Sequence, residues 1–124
     1  MLHICSQSLE PGSLVHGRID WERRFLHMQQ HSGEHIFSGI VHRLHGYDNI
    51  GFHMGKDFVT VDFSGLLTEE EIAEAERQAN TVVLANERIL AEYPCARELE
   101  TLEYRSKKEI DGAVRIVTVP GADV

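Results

Sequence analysis

Asn49-Ile50-Gly51-Phe52-His53-Met54-Gly55-Lys56-Asp57-Phe58-Val59-Thr60-Val61-Asp62-Phe63 reads as a β-hairpin. A two-residue loop at Lys56-Asp57 pairs Met54 with Val59, Phe52 with Val61 and Ile50 with Phe63. That register makes one face wholly apolar. The other face carries His53 opposite Thr60 and Gly51 opposite Asp62. A slip of one residue would mix the faces, so the pattern itself selects the pairing.

The hairpin is flanked by two helical patterns. Upstream, Asp20 is a good N-cap, although Arg23 and Arg24 stand where a capping-box Glu would sit. Helical periodicity then runs to about His45, and Gly46 stops it. Leu26, Gly33, Phe37, Ile40, Val41 and Leu44 form the apolar stripe, with Arg24, His27, His31, His35, Ser38 and His42 on the opposite side. Downstream, Thr68 and Glu71 make a capping box for a helix ending near Asn86, with Ile72, Ala75, Ala79, Val82 and Val83 inward. Residues 88–93 and 113–119 read as strands and residues 96–102 as a short helix, while residues 2–5 and 14–19 read as strand fragments. Helix, hairpin, helix and strands predict an α+β fold, an antiparallel sheet packed with helices in two layers.

The chain has 124 residues, 42% hydrophobic and 26% charged, which suits one globular domain. Its net charge is −8, which argues against a generic nucleic-acid binder. The acidity is local. Residues 66–104 hold ten acidic and three basic side chains, whereas the remainder holds ten and nine. The rest of the surface is therefore able to meet a polyanion. There is no apolar run of the ~18 residues that a membrane span needs, and no secretory pattern opens the chain. Cys5 and Cys95 make no disulfide framework; a reducing compartment, the cytoplasm, is expected, with Cys95 a small buried or inert thiol.

Five of the eight histidines lie between His27 and His45. His31 and His35 are four apart on the predicted helix, the spacing by which one helix offers two imidazoles to Zn²⁺. They are expected side by side, facing the sheet. The stretch His31-Ser32-Gly33-Glu34-His35 also matches H-x-x-E-H, in which Glu34 would be a general base. That string leaves three readings open: a zinc hydrolase, a zinc metalloprotease lacking an identified third ligand, and a non-catalytic binding module whose histidine face is merely solvated.

Asp20-Trp21-Glu22-Arg23-Arg24 followed by His27-Met28-Gln29-Gln30-His31-Ser32-Gly33-Glu34-His35 resembles the metal-binding helix of alanyl-tRNA editing domains. These occur within alanyl-tRNA synthetase and as free-standing editing proteins. Gly51-Phe52-His53-Met54-Gly55, Val59-Thr60-Val61-Asp62-Phe63, Leu67-Thr68-Glu69, Ala79-Asn80, Arg105-Ser106-Lys107-Lys108 and Val114-Arg115-Ile116-Val117 resemble the same family in the same order. The resemblance implies hydrolysis of tRNA(Ala) wrongly charged with serine or glycine. It also implies a zinc held by the helix pair and a later C-x-x-x-H pair.

Only the first pair carries over, as His31 and His35. The family places the second after a Gly-x-Asp-Val stretch, here Gly121-Ala122-Asp123-Val124. The expectation is therefore a middle piece of a longer protein, metal-free or with a weakly held ion, and with little or no activity of its own. Residues 1–19 would be the tail of an upstream barrel-like domain, and residues 20–124 a C-terminally truncated editing domain. An ester needs an activated water and a stabilised oxyanion, and zinc can supply both or only orient the amino acid. Serine is accepted and alanine rejected where a polar pocket leaves alanine's missing hydroxyl unanswered. Gln30, His53 and Thr60 are the candidate lining groups, and Arg24, Arg105, Lys107 and Lys108 the candidate tRNA contacts.

Overall fold

The structure, a computed structural model, describes residues 4–55, 58–102, 104 and 112–123. Helix α1 (Trp21–His45) begins where the Asp20 carboxylate accepts the Arg23 backbone N–H at 3.0 Å. It ends at Gly46, whose left-handed φ of 70° lets its N–H reach the His42 carbonyl. Strands β1 (Asn49–Met54) and β2 (Val59–Phe63) form the hairpin, and α2 (Glu69–Ala85) follows through the Thr68–Glu71 capping box. After Asn86 come β3 (Leu90–Glu92), α3 (Ala96–Leu99) and β4 (Ile116–Thr118).

The α+β class holds, but the strands form two antiparallel pairs, β1 with β2 and β3 with β4, rather than one sheet. The hairpin register is the expected one from Gly51–Asp62 through Met54–Val59. The exception is Ile50. A bulge shifts the ladder so that Asn49, not Ile50, faces Phe63, and Ile50 turns outward. An extra residue in one strand reverses the alternation beyond it, so Asn49 points inward.

The core is built where α1 crosses α2. Ile36, Ile40 and Val41 of α1 meet Ala75 of α2 and Val119, with Phe37, Tyr47, Phe63, Ala79 and Val82 packed around them. Ile40 and Val41 are fully buried, each contributing about 1.5–3 kcal/mol of apolar transfer. Ala75, without bulk, lets the two helices approach.

Several expected inward residues stay outside. Leu26 and Leu44 of α1, and Ile72 and Val83 of α2, are all 40% exposed or more. Ser38, placed on the polar side of α1 by periodicity, is 1% exposed. The reason is that burial follows what packs against each helix. The C-terminal half of α1 is covered by α2 and the segment around Val119; its first two turns lack such cover, leaving Trp21, Phe25 and Met28 exposed. Residues 4–20 form no strand and are exposed throughout, because two short segments without a third strand gain too little to pair. The strands expected over residues 88–93 and 113–119 each shorten to three residues, the helix over 96–102 to four, and Cys95 is exposed. Lys56, Asp57 and residues 2–3 lie outside the described residues.

Candidate metal centre

His31 and His35 sit one helical turn apart on α1, with ring centroids 5.0 Å apart. His31 also stacks on Phe52 of β1, at 5.6 Å with 18° between the planes. Helix and hairpin thus place the first imidazole together. Glu34 falls beside them but on the inner side of the helix, 9% exposed. The donor atoms of His31, Glu34 and His35 lie within 4.8 Å of one another. They open on a cleft of about 940 Å³ whose walls include Asn49, Phe52 and Asp123.

A carboxylate this deep needs hydrogen-bond donors to offset lost hydration. Glu34 Oε1 accepts the Ser38 hydroxyl at 2.7 Å and the Asn49 side-chain amide. Ser38 is four residues on along α1, and the bulge in β1 is what brings Asn49 inward. Both donors are buried. His35 Nδ1 lies 3.1 Å from Asp123 Oδ2, a carboxylate from the far end of the described chain. On the same cleft, His42 Nδ1 lies 3.0 Å from Asp48 Oδ1.

Two imidazoles and a carboxylate are a donor set that zinc accepts, and a carboxylate behind one imidazole is the usual support for a ligating histidine. The residues present fit zinc.

The other expected site residues are placed elsewhere. Gln30 is half-buried, and neither it nor His53 and Thr60 lines this cleft. The last two face each other across the hairpin on its exposed side. The pleat that turns Phe52 toward His31 must turn both of its neighbours away. Arg24 is exposed near the start of α1. Arg105, Lys107 and Lys108 lie outside the described residues. Ser38, Asn49 and Asp123 are the residues that sequence reasoning missed. Ser38 carried one usable signal, its i+4 spacing from Glu34 on a helix.

No protein-family model matches the chain. It is 32% identical over 125 residues to the alanyl-tRNA editing protein Aarsd1 of Rattus norvegicus, covering 98% of this chain and 30% of that protein. It is also 41% identical over 86 residues to the alanine–tRNA ligase of Pyrococcus furiosus, covering 66% of this chain and 9% of the ligase. This stretch of chain is homologous to alanyl-tRNA editing proteins. The similarity to the Danio rerio Aarsd1 protein, 31% over 131 residues, has the same extent. The chain thus spans about 30% of the length of its editing-protein relatives. The resemblance carried by the α1 motif and the hairpin motif extends across nearly the whole chain, and the histidine pair lies within the stretch that matches the editing proteins.

Proposed function

We propose that the full-length protein carrying this stretch hydrolyses the ester bond of tRNA(Ala) wrongly charged with serine or glycine. The observation that supports this most directly is the convergence of His31, Glu34 and His35 on one cleft within a stretch homologous to alanyl-tRNA editing proteins. His31 and His35 would hold zinc, which supplies charge to polarise the ester carbonyl and acidify water. Glu34, with Oε1 held by Ser38 and Asn49, has its second oxygen, Oε2, to accept a proton from water. The cleft's polar wall would prefer serine over alanine, because alanine leaves hydroxyl partners unanswered. Arg24, Arg105, Lys107 and Lys108 would neutralise tRNA phosphates. The cytoplasm, a reducing compartment where charged tRNA is consumed, suits this function.

The test is deacylation of Ser-tRNA(Ala), Gly-tRNA(Ala) and Ala-tRNA(Ala) by the zinc-loaded full-length protein that carries this stretch. Serine or glycine should be released and alanine spared. His31→Ala should abolish most of the activity with an unchanged far-UV spectrum, since its ring leaves an exposed helix face. Binding of tRNA without hydrolysis, or cleavage of peptides instead, would overturn the assignment.

A further inference from the structure

The contact between His35 and Asp123 differs from an ordinary surface ion pair. The His35 side chain is 52% exposed, but that of Asp123 is only 9% exposed. The carboxylate is held from below. Residues 119–123 close a tight turn in which the Val119 N–H donates to the Asp123 carbonyl at 2.7 Å, and the Ala122 and Asp123 N–H groups both donate to the Val119 carbonyl at 3.0 Å. Arg43 of α1 clips the turn by donating to the Gly121 carbonyl and, through its other nitrogen, to Gln78 of α2 at 2.8 Å. Gly39 of α1 permits the approach. A Cβ there would collide with the Ala122 carbonyl oxygen and lie 2.9 Å from the Asp123 Cβ. Two helices and a turn thus fix one carboxylate against one imidazole nitrogen.

A neutral imidazole carries one N–H, and the partner of that N–H decides which nitrogen keeps the lone pair. A carboxylate at Nδ1 holds the proton on Nδ1 and puts the lone pair on Nε2. A neutral imidazole without such a partner favours the opposite tautomer. We propose that Asp123 is a positioning residue: it fixes the tautomer and the ring orientation of His35 so that Nε2 is presented to a metal ion in the cleft. This rests on the reading of His31 and His35 as metal ligands, and it assigns a role to a residue 88 positions away in sequence.

Two measurements test it. In the metal-free protein at alkaline pH, where imidazoles are neutral, long-range ¹H–¹⁵N spectra should show His35 with its proton on Nδ1. Asp123→Ala should move that proton to Nε2 without changing the far-UV spectrum. In zinc competition against a chromogenic chelator, Asp123→Ala should weaken binding about 10–100-fold. In a His35→Ala background, the same substitution should change nothing further, because the residue acts through the ring. Asp123→Asn, similar in size, should also weaken zinc and covers the case in which the alanine variant fails to fold. A His35 proton on Nε2 in the unsubstituted protein, unchanged zinc affinity in both variants, or a full additional loss in the His35→Ala background would overturn the proposal. If the unsubstituted protein binds no zinc, the metal reading falls. The tautomer spectra then decide the hold of Asp123 on His35 by themselves.

Discussion

Glu34 shows how a charge is kept inside a small core. Its carboxylate is buried on α1, and two neutral donors, Ser38 and Asn49, take the place of water. Removing one donor leaves the acceptor buried and half-satisfied, which costs more than the net worth of the bond. Ser38→Ala should therefore destabilise the fold by about 1–3 kcal/mol, read as a lower urea midpoint with unchanged slope. A midpoint equal to that of the unsubstituted protein would show that Asn49 alone satisfies the charge. Periodicity assigned Ser38 to the polar side because it scores residue type. A hydroxyl that bonds its i−4 carboxylate is as buriable as a methyl group, and residue type does not reveal it.

At the level of elements, α1 and α2 were legible because their signals are local: the Asp20 cap, the Thr68–Glu71 box, and the left-handed stops at Gly46 and Asn86. The hairpin register was legible wherever strict alternation holds, and failed at Ile50, where a bulge breaks it. The inward turn of Asn49 answers Glu34 on another element, which a period-2 pattern cannot encode. The close approach of the 119–123 turn to α1 was likewise invisible, since a lone glycine in a helix reads as a weak position. Gly39→Ala should cost about 1–3 kcal/mol by overpacking, despite the higher helix propensity of alanine. A melting temperature at or above that of the unsubstituted protein would show that the turn can retreat without penalty. On α2, hydrogen bonds from Arg77 and then Gln78 hold the half-buried Glu74 carboxyl down to about 2, from the ordinary 4.5. A depressed folded value stabilises above the ordinary one and is lost on acidification. Glu74→Gln should thus be less stable than the unsubstituted protein at neutral pH, and the gap should close as pH falls from about 4.5 to about 2. Paired acid titrations of stability check this; a gap that stays constant with pH would contradict it.

Over the whole chain, most of the net negative charge follows the histidine pair in sequence. The acidic segment, residues 66–104, contains α2 and α3, while the histidine pair lies on α1 before it. Arg24 is exposed near the start of α1, the helix that carries the histidine pair. Arg24→Ala should weaken tRNA binding uniformly across tRNA sequences and reduce the slope of log affinity against log salt by about one. An unchanged slope would remove Arg24 from the interface. Among the described residues no helix is long and apolar enough to cross a membrane. The clip that seats Asp123 against His35 also orders events in time. The cap, α1 and the hairpin close over short loops, on the scale of microseconds. Asp123 must close a loop of 88 residues and wait for α2 to supply Gln78, the anchor of Arg43. The imidazole pair therefore exists on a nascent or refolding chain before it is locked. An ion between the two imidazoles would thus meet an oriented His35 only after this long-range contact has closed.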